Sequence, residues 1–592
     1  MKLKSTLLLV LLSTLANLLS AQLVTHGPIT GGVTPSSARM YVRTSTVSEV
    51  KVEVSTDFAF TNPISVTDST QDWRDTAIIL GISGLNANTL YHYRVYVNSV
   101  LDTLRGSFKT FPAVGQRGHY KWGVLSCQEF GTYNTFKALY NRQPQFVLHT
   151  GDWTYPDYQL PGDHRTDWAI QQLSWLKRYT EQNMIPSLRS SVYDYVPDNH
   201  DGAEQRDNQQ FVSSYVDSNG TVHNVVTPEP VPPVGLQNVF KAYYEYFPGY
   251  PAAIDSSKGM YHSYRFGNAE VFFVDGRHCG NGQDSTFTYD AQQNRWIFDP
   301  KPGQTLLGAE QLQWLKTGLQ QSTADWKFIV SGVMFNRNFR KVIQVAMVLQ
   351  NAVFGIGGQT GTGFTLAHAI ANNWCAYPAE QDGLLDFIHS NAIKDIIVLS
   401  GHVHTNVMDN GYNAGLPELN TGPAAGSGAE LTYYIDSVMQ LIGQGTAIDS
   451  LWNGGGQGVN NKNFKSGFGM VEIFNSDSVV MQIVDEDDTT VSSMTILHSS
   501  IAPTSIPVIK EEACVIETIF PNLTSDKVQV KFCSTYNRKP SDRSYLIDLN
   551  GRILSIPVNA ETFSVKGLPA GKYLYVYDYG PEVKTMPLQV VH

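Results

Sequence analysis

Ile396-Ile397-Val398-Leu399-Ser400-Gly401-His402-Val403-His404 is the stretch that decides how the rest of the chain is read. Four apolar residues run into Ser400-Gly401, the pattern of a buried strand that stops at a tight turn. Gly401 lets the backbone turn where a side chain would crowd it. Two imidazoles just past a strand end can then converge on one point. Taken alone, His-X-His at a strand end serves structure as readily as metal binding. The question is whether other strands end in the same way.

They do. Lys121–Leu125 runs into Ser126-Cys127-Gln128, and Gln145–His149 into Thr150-Gly151-Asp152-Trp153-Thr154-Tyr155. Val192–Val196 leads to Pro197-Asp198-Asn199-His200-Asp201, and Glu270–Val274 to Asp275-Gly276-Arg277. Helical spacing of apolar residues falls between these runs, over Asp167–Tyr179, Gly308–Gln320 and Glu380–His389, and a further strand covers Trp326–Val330. Alternating strands and helices predict a layered α/β domain over 118–500. Such folds place their sites at the carboxyl ends of strands. A dinuclear metal centre needs about four ligands per ion and one bridging carboxylate. Thiol, carboxylate, phenol, amide oxygen and imidazole all stand at strand ends here, as Cys127, Asp152, Tyr155, Asn199, His402 and His404. His149 is expected to support a ligand rather than to be one.

Composition sets the class. At 592 residues the chain is too long for one core, and three or four domains are expected. With 42% hydrophobic and 16% charged residues it reads as an ordinary soluble globular protein. A net charge of −11 argues against nucleic acid and acidic membranes as partners, since both require a basic face. A phosphorylated substrate is still allowed, because bound cations reverse the local sign.

The flanks add domains. Residues 1–21 read as a secretory signal, with Lys2 and Lys4, an apolar run over Leu7–Leu19, and Ser20-Ala21 before Gln22. No other stretch approaches about 20 apolar residues, so no transmembrane span is expected once the signal is removed. Of the five cysteines, Cys514 and Cys533 are placed to bridge and Cys279 with Cys375 is a second candidate pair, which leaves Cys127. Residues 22–112 alternate as a small β-sandwich, and 511–592 form a last β-rich unit after a Pro-containing linker at 501–510. Val342–Phe364, apolar and then Gly-rich, reads as an insertion or a mobile cover for the site.

Three resemblances follow. Gly84-Leu85-Asn86-Ala87-Asn88-Thr89-Leu90-Tyr91 resembles a corner of fibronectin type III domains. Phe520-Pro521-Asn522, Leu549-Asn550-Gly551-Arg552 and Gly567-Leu568-Pro569-Ala570-Gly571-Lys572-Tyr573 resemble the C-terminal sorting domain of type IX secretion substrates. That resemblance implies the type IX machinery as a partner and a secreted or cell-surface location. Gly151-Asp152-Trp153-Thr154-Tyr155, Asn199-His200-Asp201 and Gly401-His402-Val403-His404 look like the motifs of calcineurin-like metallophosphoesterases. With Ser126-Cys127-Gln128 and Trp374-Cys375-Ala376-Tyr377-Pro378 the chain is most similar to the PhoD-like alkaline phosphatase/phosphodiesterase type, over residues 24 to about 480.

What this implies is specific. The expected fold is multidomain: an N-terminal fibronectin III-like β-sandwich, a central α/β/β/α four-layer metallophosphoesterase sandwich, and a C-terminal small β-sandwich. The expected activity is hydrolysis of phosphate esters, whether small-molecule, lipid or nucleotide. The resemblance assigns Cys127, Asp152, Tyr155 and His404 to a first, ferric ion, which suits anionic, polarisable donors. Asp152 bridges to a second ion, completed by Asn199 and His402. That ion is Ca2+, Zn2+, Mn2+ or Fe2+. His402 stands where PhoD members usually carry Asp, and an imidazole suits a transition metal better than calcium. His200 is the expected proton donor. Arg277 either forks onto phosphate or pairs with Asp275, and Asn336 and Arg337 are candidate phosphate contacts. The competing readings are a surface binding or adhesion protein that keeps a decayed phosphatase fold, and a nucleotidase or phospholipase on the same scaffold.

Overall fold

Two sheets with different strand patterns carry the main unit, and the apolar runs read from the sequence between Lys121 and Leu399 form the parallel strands at their centres. The structure, a computed structural model, describes residues 23–156, 160–161, 166–201, 211–216, 222–227, 233–250, 259–280, 287–290, 295–340, 373–426, 451–457 and 463–499, and, toward the C-terminus, 516–520, 523–524, 527–532, 543–548, 553–555, 562–578 and 583–591. The expected signal at 1–21, the 342–364 segment, the 501–510 linker, Cys514 and Cys533 lie outside the described residues. The chain divides into one compact unit ending at His498 and a second from Ser499 onward.

The first sheet has nine strands. Its centre is a parallel set, His119–Leu125, Phe146–His149 and Val192–Tyr195, in which Trp122 stands beside Phe146 and Phe146 beside Val192. On one side it continues antiparallel through Gly467–Phe474, Ser478–Asp485 and Thr490–Leu497. On the other it continues through Val24–Gly31, joined by Thr30 to Val192, then Ser37–Thr44 and Ala77–Ser83. Strands from before residue 112 therefore extend the sheet that bears the candidate site. The remaining early strands, Glu49–Ser55, Ile64–Ser69, Leu90–Val97 and Val100–Lys109, form a separate four-stranded sheet.

The second large sheet has seven strands. Ala269–Val274, Trp326–Val333 and Ile396–Gly401 run parallel at its middle, with Pro417–Asn420 parallel beyond them. All six residues of Ile396–Gly401 are buried, as a strand covered on both faces requires.

Side-chain alternation divides the buried residues of each sheet between two clusters. Trp122, Val124, Phe146 and Leu148 of the first sheet share one buried cluster with Val271, Phe273, Phe328, Val330, Ile397 and Leu399 of the second. The intervening residues Leu125, Val147, Tyr193 and Tyr195 face helices Thr135–Arg142, Trp168–Arg178 and Pro233–Tyr246. Phe272, Val274, Ile329, Ile396 and Val398 face helices Gly308–Gln321 and Pro378–Ser390. Among the described residues no helix is long and apolar enough to cross a membrane.

The unit from Ser499 onward has a three-stranded and a five-stranded sheet, with a core that includes Val528, Leu546, Phe563, Tyr575 and Leu588.

Candidate metal centre

The strand ends meet because glycine lets them. A Cβ on Gly401 would lie 2.1 Å from Ser126 Oγ and 2.5 Å from Thr150 Oγ1, and one on Gly151 would lie 2.4 Å from Asp198 Cβ. The turn that the sequence assigns to Gly401 is made by its neighbours. His402 and His404 have φ of 76° and 46°, while Gly401 is needed for space. Cys127 and Asp152 also have positive φ, 54° and 56°. Four predicted ligands thus share the left-handed region, which is disfavoured for side-chain-bearing residues and recurs at functional sites.

The first group is tight. The ligand atoms of Cys127, Asp152 and His404 all lie within 4.8 Å of one another. Cys127 Sγ is 3.5 Å from Asp152 Oδ2, and the Tyr155 hydroxyl is 3.4 Å from both Asp152 Oδ2 and His404 Nε2. A second group, Asp152, Asp198 and His402, meets the same 4.8 Å limit, so the two groups share Asp152. Asn199 stands between Asp198 and His200 in the chain, and its Oδ1 is buried with no hydrogen-bond partner among the described residues. His200 donates its backbone N–H to Asp152 Oδ1 at 2.9 Å, and its ring stacks on Tyr155 with centroids 4.2 Å apart.

Asp198 is the residue that sequence reasoning passed over as a candidate. It sits inside the quoted Asp198-Asn199-His200-Asp201 cluster, and its carboxylate was the available signal. Asp201, in the same cluster, accepts the backbone N–H groups of Asp152, Thr154 and Asp198 at 3.0, 2.9 and 2.9 Å, fastening two strand ends together. Burial pushes its carboxyl up to about 6. Arg178, fully buried, clamps the same loops from behind, donating to the carbonyls of Trp153, Gln128 and Glu129 and pairing with Glu181 at 2.7 Å. His149 Nδ1 accepts from Gly151 N at 3.2 Å, in the turn that leads to Asp152.

Three expectations meet a different arrangement. Arg277 pairs with Asp198 rather than Asp275: Nε and Nη2 lie 2.6 and 2.5 Å from Asp198 Oδ1. Asp275 instead holds His278 Nδ1 at 2.7 Å. Asn336 gives its side-chain N–H to Leu451 O and takes Asn338 N at 3.0 Å, and Arg337 pairs with Asp382 at 3.2 Å. Neither is joined to the donor cluster by a hydrogen bond or ion pair. Cys279 and Cys375 do not form the second disulfide. Cys279 packs closely instead against Gly259 and Gly308, where an added Cβ would lie 2.4 Å from its Sγ and 2.2 Å from its backbone oxygen.

The donor set fits a cation. Burial, then the charge of Asp198, push the Asp152 carboxyl well above the usual carboxylate range. Burial and Asp152 likewise push the Cys127 thiol up. Burial, helped by His200 and His402, pulls the His404 imidazole down to about 3. Cations that bind here oppose the first two shifts and use the neutral imidazole as it stands. The orphaned Asn199 oxygen is a further donor without another use.

The fold and site together define a class: an α/β protein of two sheets with two groups of candidate metal-ligand residues, sharing Asp152, at its strand ends. Similarity to known proteins points to phosphatases. Residues 218–431 match the family model described as PhoD-like phosphatase, a stretch that includes Arg277, His402 and His404. Alkaline phosphatase D of Bacillus subtilis (strain 168) is 24% identical over 344 residues, covering 55% of this chain and 53% of that protein. The match thus spans about half the length of this curated relative. The solved structure of PhoD has a TM-score of 0.59 at 17% identity, covering 81% of this chain and 91% of that one, a likeness of fold.

Proposed function

We propose that the chain is a metal-dependent phosphoesterase of the PhoD-like type, built on an α/β/β/α sandwich. The observation that carries this reading is the pair of donor groups sharing Asp152. Cys127, Asp152, Tyr155 and His404 would hold one ion, for which anionic sulfur and phenol oxygen favour Fe3+. Asp152, Asn199 and His402 would serve a second, for which an amide and an imidazole favour a divalent transition metal. Bound ions of this kind supply an acidified water and positive charge for the phosphoryl oxygens.

The chain's own residues do the rest. Asp152 positions both groups, and Asp201 and Arg178 hold its loop rigid against strain. His200 is partly exposed beside the cluster. From there a ring nitrogen gives a proton to the leaving alkoxide as the ester bond to phosphorus breaks. Its stack on Tyr155 and its backbone bond to Asp152 fix it to the same frame. The type IX motifs of the last eighty or so residues and the apolar start of the chain support export, with a secreted or surface-held protein as the result.

Two variants test the division of roles. Asp152→Ala removes metal and activity together, whereas His200→Ala keeps its metal and loses rate on p-nitrophenyl phosphate. Equal metal loss in both refutes the assignment. Wild-type protein with fewer than one bound ion per chain would instead favour a binding protein on a decayed fold. Rates on p-nitrophenyl phosphate against bis-p-nitrophenyl phosphate sort monoesterase from diesterase.

A further inference from the structure

Asp194 carries a carboxylate into the layer between the two sheets. On the strand Val192–Tyr195 its neighbours Tyr193 and Tyr195 face the helices, whereas Val192 joins the cluster shared by the sheets. Alternation puts Asp194 on the side of Val192, and it is 1% exposed. On the second sheet His262 opens the strand His262–Phe266, whose Phe266 belongs to the same cluster. His262 Nε2 lies 2.9 Å from Asp194 Oδ2, so the pair joins strands of different sheets. The ring lies flat on Phe273, with centroids 4.8 Å apart.

Both ring nitrogens face acceptors. Nδ1 lies 2.9 Å from the Met260 carbonyl oxygen, which can only accept. Asp194 Oδ1 accepts the Tyr195 N–H at 2.9 Å, a bond that suits an ionised carboxylate. A neutral imidazole has one N–H and can serve only one of these two partners. With Asp194 ionised, the geometry calls for a proton on each nitrogen. Three phenols surround the pair: Tyr264 on the same strand as His262, Tyr243 on helix Pro233–Tyr246, and Tyr250 just beyond that helix. Burial, then the charge of Asp194, push all three hydroxyls well above the usual phenol range. Arg39 approaches them at Tyr243 and donates to Gly249 O. His262 is thus the cation paired with Asp194, and a carboxylate in an apolar layer needs such a partner.

We infer that His262 and Asp194 form a charged tie between the two sheets, which holds as imidazolium and carboxylate and is released when the imidazolium loses its proton. Burial works against the imidazolium, but the charge of Asp194 and the bonds to Asp194 and Met260 outweigh it, and the ring's pKa stands above the ordinary 6.5. Stability supplied by the tie is therefore full below 6.5 and is lost as pH rises through the folded midpoint. The tie lies close in the chain to the donor cluster. The strand that bears Asp194 leads into Asp198-Asn199-His200, and Met260 donates its N–H to Asp275 at 2.8 Å, two residues before Arg277. Cys127 and Asp152 follow strands of the first sheet and His402 and His404 a strand of the second, so the tie joins the two carriers of the donor set.

The test uses the full chain with 15N-labelled histidine, the His262 signals being assigned by their loss in His262→Gln. At pH 7 both ring nitrogens should carry protons, with a deprotonation midpoint above 6.5. A neutral ring at pH 7, or one with Nε2 unprotonated, overturns the assignment. Amide protection in Val192–Tyr195 and His262–Phe266, corrected for intrinsic exchange, should fall across the midpoint by about tenfold for each pH unit that separates it from 6.5. Protection that does not change there overturns the tie. Asp194→Asn should bring the midpoint below 6.5, because burial then acts without the counter-charge. His262→Arg stays charged at every pH and should lack that part of the fall, whereas an equal fall in both proteins counts against the tie. The wild-type titration and exchange decide even where a variant fails to fold, and neither depends on hydrolysis of a phosphate ester.

Discussion

Replacing Gly401 by alanine probes whether the approach of the strand ends, rather than ligand identity alone, builds the centre. The added Cβ would sit 2.1 Å from Ser126 Oγ, 2.6 Å from Ser126 Cβ and 2.5 Å from Thr150 Oγ1. Ordinary contact begins near 3.4 Å, so the strand Ile396–Gly401 must withdraw by about 1.3 Å from the strand ends carrying Cys127 and Asp152. Overpacking of this kind costs about 1–3 kcal/mol of stability. The larger effect is on function, since His402 and His404 follow directly. A displacement of about 1 Å at a reacting centre can lower rates about 100-fold. The assay is kcat/KM on p-nitrophenyl phosphate beside bound metal per chain and the urea midpoint. The control is Gly383→Ala in helix Pro378–Ser390, where a Cβ meets nothing within 4 Å. That change should leave activity intact and add up to about 1 kcal/mol of stability. Wild-type activity and metal content in Gly401→Ala would refute the reasoning, because the strand ends would then not set the ligand geometry.

Further outcomes follow from individual side chains. Arg178→Met strands three loop carbonyls and Glu181 behind the site, so a loss of about 3–5 kcal/mol is expected in urea unfolding; a change below 1 kcal/mol would contradict the clamp. Burial pushes the Glu418 carboxyl up from 4.5 to about 7, so the folded state holds the extra proton across that window. Stability should therefore fall by about 3 kcal/mol as pH rises through it, and Glu418→Gln should flatten that slope in denaturation measured from pH 4.5 to 8. A chain ending at His498 should retain its activity and a cooperative melt, while cell fractionation should show that it no longer reaches the surface.

Much of the site was legible because its donors stand next to the strands that carry them. An apolar run followed by Gly and a polar cluster is a local pattern, and the structure turns each such run into a buried strand. The strand Trp326–Val333 and the helix Gly308–Gln321 extend only slightly beyond their predicted limits for the same reason. Local pattern says nothing about the partner of a long side chain. Arg277 is two residues from Asp275, which made that carboxylate the obvious partner, yet its guanidinium reaches Asp198, 79 positions away.

By itself, the sequence determined which residue types stand at the strand ends, that strands alternate with helices, and that Cys127, Asp152, Tyr155, Asn199, His402 and His404 are the donors to consider. Tertiary structure alone decided how they divide. Sheet order sets Val192 beside both Phe146 and Thr30, and so brings strands from before residue 112 into the site's own sheet. Packing between strand ends, not glycine's turn, explains Gly401. Asp198 and His402, 204 positions apart, meet at 2.8 Å only because two separate sheets bring their strand ends to one place. Periodicity fixes an element through neighbours a few residues away, whereas a buried polar contact depends on register across the whole unit.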